Sequence, residues 1–448
     1  MSLPDDLRAA LGPLGCLSGR DVPDAAMSDA SATGRARPKL LLRPASVKEV
    51  SDAMAICNRH GQSVVPQGGL SGLAGGANPR DSDVALSLAR LHGIEDIDTI
   101  AGTMVLRAGT ILATAQLAAE EAGWILPIDL GARGSAQIGG LLATNAGGLR
   151  VIRYGGTRDN VLGLEVVLAD GTVLSHMNRS LKDNTGLDLR GLFIGSEGTL
   201  GVITRAVLRL HPATARLQTA LCSTPGLEAA LRLLTRLRRH GGLCAFEAMW
   251  PDYFDLNCRL EGRQVFGATP PLAILLELEE DCEVLLEAAL GDGLISDAVM
   301  AQSLAEARQL WAIREGHRID AHLPGLLNFD VSLALTDMAE FVANCQTAIR
   351  AVQADAFVGF FGHLGDGNLH AVVHLPGADA RTRHAVEDTV YRTVQRFAGS
   401  VSAEHGIGLL KRDWLGLSRT AEEIAAMRAI KAALDPKTCL NPGKTFGA

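Results

Sequence analysis

The residues richest in chemistry are Gly362-His363-Leu364-Gly365-Asp366-Gly367-Asn368-Leu369-His370 and, later, Ser402-Ala403-Glu404-His405-Gly406-Ile407-Gly408. His363 and His370 stand seven apart, so one unbroken strand would send their rings to opposite faces. Four turn formers in a row, Gly365 to Asn368, permit the bend that lets both serve one site. A pair of imidazoles brought together in this way fits a divalent transition metal, with a carboxylate wanted as the third ligand. Glu404 could complete that set, leaving His405 as a base. Two unrelated histidines flanking a hairpin would be the blander reading; the insert Gly365 to Asn368 and the partner Glu404-His405-Gly406 weigh against it.

Two glycine-dense segments suggest a second kind of chemistry. Pro66-Gln67-Gly68-Gly69-Leu70-Ser71-Gly72-Leu73-Ala74-Gly75-Gly76 follows a β-branched run, and its five glycines in nine positions free consecutive amides to converge on one anion. Such a nest suits a pyrophosphate, although an ordinary glycine-rich loop has the same composition. No complete dinucleotide fingerprint or P-loop occurs, so some other phosphate cradle is required. Gly134-Ser135-Ala136-Gln137-Ile138-Gly139-Gly140-Leu141-Leu142-Ala143-Thr144-Asn145-Ala146-Gly147-Gly148, followed by Tyr154-Gly155-Gly156-Thr157-Arg158, is small enough to let a flat ring lie against the main chain. Hydrogen bonds would come there from amides, Thr144 and Asn145.

These segments need elements to carry them. Val64-Val65-Pro66, Met104-Val105-Leu106 and Leu164 to Leu168 read as strands, the last ending in the turn Ala169-Asp170-Gly171. Ser46 with Glu49 three positions on reads as a capping box, and Val50, Ala53, Met54 and Cys57 then follow helical spacing. Beyond His211-Pro212 glycine thins and long helical stretches appear, Leu227 to Arg239 and Asp281 to Leu290, beside the apolar strand Leu272 to Leu276. A domain boundary belongs there. Arg412 onward reads as helix, with Ala425, Met427, Ile430 and Leu434 apolar, ending in the turn Leu440-Asn441-Pro442-Gly443-Lys444, which can reach back over another domain.

At 448 residues the chain exceeds one ordinary core, and 47% hydrophobic with 21% charged residues is the balance of a packed globular protein. A formal charge of −8 without a basic run argues against nucleic acid. The acidic start lacks the flank and apolar stretch of a secretion signal and no segment approaches a membrane span, so a cytoplasmic location is expected. Eight dispersed cysteines without a paired motif are expected to be buried thiols.

Together with Gly195-Ser196-Glu197-Gly198-Thr199-Leu200-Gly201-Val202-Ile203-Thr204, the glycine-dense segments resemble the FAD domain of the vanillyl-alcohol oxidase and p-cresol methylhydroxylase flavoproteins. The resemblance implies an α+β protein in three parts. A two-subdomain FAD-binding domain of the p-cresol methylhydroxylase type would span 1–212. A substrate and metal-binding domain, an antiparallel sheet covered by helices, would span 213–411, and a C-terminal helical segment, 412–448, would return to the FAD domain. It further implies that Pro66, Gln67, Gly68, Gly69, Leu70, Ser71, Pro127, Gly134, Ser135, Gly139, Thr144, Asn145, Gly148, Tyr154, Glu197, Gly198, Ile203 and Asn441 approach the cofactor. Some members attach the flavin to a His in the loop matching Gly68 to Gly76; none stands there, so non-covalent FAD is implied.

The histidine motifs resemble the branch of this family that contains D-2-hydroxyglutarate, D-lactate and glycolate dehydrogenases. That resemblance implies a divalent metal, commonly zinc, on His363, His370 and Glu404, with His405 as general base and substrate contact. It implies a substrate-binding guanidinium at Arg314, a quinone or electron-transfer flavoprotein as acceptor, and a homodimer. Where the 2-hydroxyglutarate enzymes carry a Lys, this chain has Asn328, and another of their polar positions is Val372. The expected substrate is D-2-hydroxyglutarate, D-lactate or a related D-2-hydroxy acid, with Asn328 among its contacts; loss of that Lys favours a shorter or more apolar side chain unless His317, Arg318 or His322 compensates. Two other functions compete: a metal-dependent hydrolase or lyase on a glycine-rich scaffold, and a non-catalytic flavin-binding subunit of a glycolate-oxidising complex. Purified protein lacking yellow flavin absorbance would favour the first, and the intact His363, His370, Glu404 and His405 cluster argues against the second.

Overall fold

The computed structural model describes residues 2–31, 33–213 and 217–446. Two compact units divide it: Met1–Gly148, Tyr154–Ala213 and Glu404–Ala448 form the first, Leu149–Arg153 and Thr214–Ala403 the second.

In the first unit, the strands Leu40–Leu42, Val84–Ser87 and Val64–Gln67 lie parallel, with Cys16–Ser18 antiparallel at one edge. Parallel neighbours require a crossover, and the helix Val47–Arg59 supplies it. Its cap forms as the Ser46 and Glu49 spacing predicts on one side: Ser46 Oγ accepts the Glu49 N–H at 3.2 Å. The Glu49 carboxylate reaches one residue further back, to the Ala45 N–H at 2.8 Å. Val50, Ala53, Met54 and Cys57 are buried on its inner face. A second sheet is antiparallel in the order Ile94–Asp98, Thr103–Arg107, Val202–Arg209, Val161–Val167, Val173–His176. Residues of both sheets meet in one apolar core, which Leu440 from the chain's last segment also joins.

That last segment belongs to the first unit from Glu404 onward, earlier than the boundary expected after 411. The reason is local: the Leu409 and Leu410 N–H groups donate to the Ala74 carbonyl at 2.8 and 3.1 Å. Val64 N–H donates to the Cys439 carbonyl at 2.7 Å and Asn441 N–H to the Val64 carbonyl at 2.8 Å, so the terminal turn extends the edge of the first sheet. The helix Ala421–Leu434 forms as its spacing predicts, yet its buried residue is Lys431, whose ammonium donates to the Thr199 and Leu440 carbonyls at 2.7 and 2.8 Å and pairs with Asp435.

The second unit is a seven-stranded antiparallel sheet among the described residues, ordered Asp297–Met300, Gln218–Thr224, Leu272–Leu278, Leu243–Met249, Phe357–Gly362, Asn368–His374, Leu327–Ser332. The helices Leu227–His240 and Cys282–Gly291 occur where the sequence suggests them. Every residue of Leu243–Met249 and Leu272–Leu278 is buried, which is why these strands read as apolar runs without alternation. Residues 149–153 join this unit because Arg150 pairs with Glu277, and Arg153 with Glu279 at 2.9 Å. All eight cysteines are free and buried. Among the described residues no helix is long and apolar enough to cross a membrane.

Candidate active site

In the first unit a cleft opens at the end of the strand Val64–Gln67. Pro66, Gln67, Gly68, Gly69, Leu70, Ser71, Gly139, Thr144, Glu197, Gly198 and Ile203 line it, and so does His405. Backbone geometry explains the glycines. A Cβ on Gly69 would lie 1.9 Å from the Ser135 carbonyl oxygen, and one on Gly68 would lie 3.4 Å from the Gly140 main chain. The two glycine-dense segments therefore meet main chain to main chain, which leaves amides rather than side chains along the cleft. Gln67 is buried and serves the loop itself, donating to the Ala26 and Ala77 carbonyls at 2.9 and 3.0 Å.

Pro127, Gly134, Ser135, Asn145, Gly148, Tyr154 and Asn441 lie outside that lining. Asn145 ends the helix Ile138–Thr144 at φ 50 and accepts the Arg158 N–H at 3.0 Å. Gly148, at φ +130, packs so tightly that a Cβ would sit 1.9 Å from the Asp129 carbonyl oxygen. Tyr154 packs on His211 with ring centroids 4.7 Å apart. Asn441 donates to the Gly76 and Glu197 carbonyls at 3.0 and 2.7 Å, joining two lining segments.

His405 reaches the cleft on a loop docked in the same unit. The Ile407 and Gly408 N–H groups donate to the two carboxylate oxygens of Glu197 at 2.9 and 2.8 Å. Burial pushes the Glu197 carboxyl above the ordinary range, while those two N–H groups and the Lys411 and Lys444 ammonium groups pull it back. Glu404, the neighbour of His405, packs its carboxylate against Gly147, where a Cβ would meet Oε1 at 2.7 Å.

In the second unit the bend inferred from Gly365 to Asn368 is a hairpin between Phe357–Gly362 and Asn368–His374. Gly367 turns it at φ +90, and Asp366 accepts the Asn368 N–H at 3.1 Å. The rings of His363 and His370 end 5.5 Å apart, centroid to centroid. His363 Nδ1 bonds the Glu247 carboxylate at 2.9 Å, and Arg314 lies against the same carboxylate at 2.6 and 2.8 Å. Burial alone would push Glu247 up, but His363 and Arg314 outweigh it and hold its carboxyl below the ordinary value. Arg314 is itself buried, stacked 4.7 Å over the Phe361 ring.

Register places the rest of this face. Phe361 and Asp330 flank His370, and Asn328 pairs with Val372. Val372, Met249 and Tyr253 belong to one apolar cluster, with Phe361 packed against it. Arg318 is engaged with Glu261 at 3.3 Å and with the Leu260 carbonyl at 2.7 Å, and His317 with Glu315 at 3.0 Å. Glu247 and Asp330 are the functional candidates that sequence reasoning missed. The signal for Glu247 was an isolated acid inside the apolar run Leu243–Met249.

Chemically, the donors suit the groups implied. Two imidazoles on one hairpin, one of them oriented by a carboxylate, form a nitrogen donor pair of the kind metal sites use. The amide-lined cleft suits an anionic, planar cofactor.

The comparisons support the flavin reading of that cleft. Residues 38–176 match the FAD binding domain family, and 214–445 match the C-terminal domain of FAD linked oxidases. D-2-hydroxyglutarate dehydrogenase of Bos taurus mitochondria is 40% identical over 430 residues, covering 92% of this chain and 77% of that protein. D-2-hydroxyglutarate dehydrogenase of Xanthomonas citri pv. viticola is 39% identical, covering 91% of this chain and 89% of that protein. Among solved structures, 4-ethylphenol oxidase from Gulosibacter chungangensis superposes with a TM-score of 0.75 at 17% identity, covering 99% of this chain and 96% of that one. p-Cresol methylhydroxylase gives 0.75 at 16%, with the same coverage, and these two likenesses establish the fold. With the glycine-built cleft, both family matches and relatives of such identity in agreement, the chain belongs to the FAD-linked oxidases and is an FAD-dependent oxidoreductase.

Proposed function

We propose that the protein oxidises a D-2-hydroxy acid to the 2-oxo acid, His405 taking the hydroxyl proton as hydride leaves C2 for the flavin N5. The observation that carries this reading is His405 itself: the one motif histidine of the first unit lines the cleft built from the FAD-binding segments. The names of the relatives, D-2-hydroxyglutarate dehydrogenases at about 40% identity over most of the chain, support the substrate class.

His363, His370 and Glu404 would hold a divalent metal, zinc by donor type. Such an ion, when bound, lowers the pKa of a coordinated hydroxyl, as it lowers that of water from about 16 to about 7. A free imidazole titrates at about 6.5, so this residue type is matched to accept such a proton near neutrality, the role proposed for His405. Glu247 fixes the His363 ring through Nδ1, so that Nε2 is the nitrogen presented for ligation. Arg314 would pair the substrate 1-carboxylate, and Glu247 orients its fork.

The side chain of the substrate should be uncharged. Beside His370 the sheet offers Phe361 and Val372, with Asn328 at its edge, and two of the side chains that might meet a distal carboxylate, His317 and Arg318, are engaged with acids. Electrons are assigned to a quinone or an electron-transfer flavoprotein and the assembly to a homodimer, both on family resemblance.

Anaerobic bleaching of the flavin by a panel of D- and L-2-hydroxy acids, with and without chelator, tests substrate, chirality and metal together. D-acids with apolar side chains should bleach it fastest and chelation should abolish the reaction. Bleaching by L-acids, or indifference to chelator, contradicts the assignment.

A further inference from the structure

Glu197 occupies an unusual position in the first unit. It sits in the turn Gly195-Ser196-Glu197-Gly198 with φ 52, a left-handed conformation uncommon for a residue with a side chain. The rest of the turn explains why it is held there. Glu197 N–H donates to the Ala143 carbonyl at 2.8 Å, fixing it to the helix Ile138–Thr144. Its own carbonyl accepts the Asn441 amide at 2.7 Å. Gly198 follows at φ +71, where a Cβ would lie 3.2 Å from Pro66. The main chain of Glu197 is thus tied to the helix and the terminal turn, and the residue after it packs on the strand that feeds the glycine-rich loop.

Its side chain points its two oxygens at something else. Oε1 accepts the Ile407 N–H at 2.9 Å and Oε2 the Gly408 N–H at 2.8 Å, the amides two and three residues beyond His405. Gly406, between them and His405, has φ +79, and a Cβ there would fall 2.9 Å from the Glu197 carboxyl carbon. Only glycine lets that main chain lie on the carboxylate in that conformation. Hydrogen bonds from main-chain amides to a buried carboxylate are among the stronger ones a protein makes. The loop has further anchors downstream, from Leu409 and Leu410 to Ala74 and from Thr445 to Gly408.

We infer that Glu197 is the positioning residue for His405, transmitting the placement of the flavin-binding segments to the loop that carries the base. This rests on the reading of His405 as base. A carboxylate is required for a geometric reason. Two N–H groups converge on it, and a glutamine of the same size can offer an oxygen to one of them while its own N–H₂ faces the other. Glu197→Gln therefore keeps the volume and removes half of the grip.

The experiment uses the FAD-loaded protein. Glu197→Gln should retain its flavin while the Ile407 and Gly408 amides exchange hydrogen at least about tenfold faster. Flavin reduction at saturating D-2-hydroxy acid should slow roughly 10- to 100-fold, the cost expected of an angstrom-scale misplacement, with little change in half-saturating substrate. Gly406→Ala provides the second variant, because it leaves Glu197 intact and displaces only the loop. It should show the same split between rate and half-saturation, and this comparison decides the matter if Glu197→Gln loses its flavin. Wild-type reduction in both variants, or unchanged exchange at 407 and 408 in Glu197→Gln, overturns the inference alone. Normal flavin reduction in His405→Ala overturns the base reading and the inference with it.

Discussion

At the scale of single residues, the roles differ by what each side chain touches. His405 is the group assigned to accept a proton, and its replacement by alanine should slow the reductive half-reaction by roughly 100- to 10,000-fold, the usual span for loss of a general base. Stopped-flow absorbance of the flavin measures this directly. His363→Ala and His370→Ala should instead lose metal and activity together, and elemental analysis of the purified variants checks it. A variant that keeps stoichiometric metal removes that histidine from the ligand set. Lys444 offers a test of stability rather than rate. It is buried, bonded to the Asn78 carbonyl and to Asn441 at 2.7 Å each, and burial lowers its pKa to about 8. Between pH 8 and the unfolded value of about 10.4 the unfolded chain binds the extra proton, so this group makes stability rise with pH across that window. Lys444→Met should flatten that rise in thermal melts; an unaltered slope contradicts the burial effect.

At the scale of elements, the hairpin and the terminal turn do the positioning. The seven-residue spacing of His363 and His370 demanded a bend, and the hairpin provides it with Gly367 at φ +90. Glu247 was harder to recognise, because its partners come from distant parts of the sequence: His363 arrives when the strands Leu243–Met249 and Phe357–Gly362 pair, Arg314 on the helix Leu304–Glu315. The C-terminal turn shows the same dependence. Asn441, expected at the cofactor, holds Gly76 and Glu197 by their carbonyls. Deleting residues 439–448 removes that link together with the edge pairing to Val64, and the shortened protein should purify with little FAD. Retention of full flavin absorbance would show that the glycine-rich loop keeps its shape without the turn.

At the scale of the whole molecule, two units divide the labour: one builds the amide-lined cleft and carries His405, the other carries the imidazole pair, Arg314 and Glu247. As a dehydrogenase, the protein should pass most of its electrons to an added quinone-like dye, with little oxygen consumed during turnover; an oxygen electrode separates this from an oxidase.

Through the family resemblance of its glycine-dense segments, the sequence by itself pointed to FAD and to an oxidoreductase. Glycine density, the two histidine motifs and their spacing are local properties, since backbone freedom and ligand type belong to the residues themselves. The helix Val47–Arg59 and the strand Leu272–Leu278 were equally readable, because a repeating apolar pattern reflects one buried face or two. Tertiary structure alone decided which acids matter and where the second unit ends. Arg150 and Arg153 pair across more than a hundred residues, and Glu197 meets the amides beyond His405 across more than two hundred. No local pattern encodes such pairings, because a buried carboxylate takes its role from whichever donors the fold brings to it.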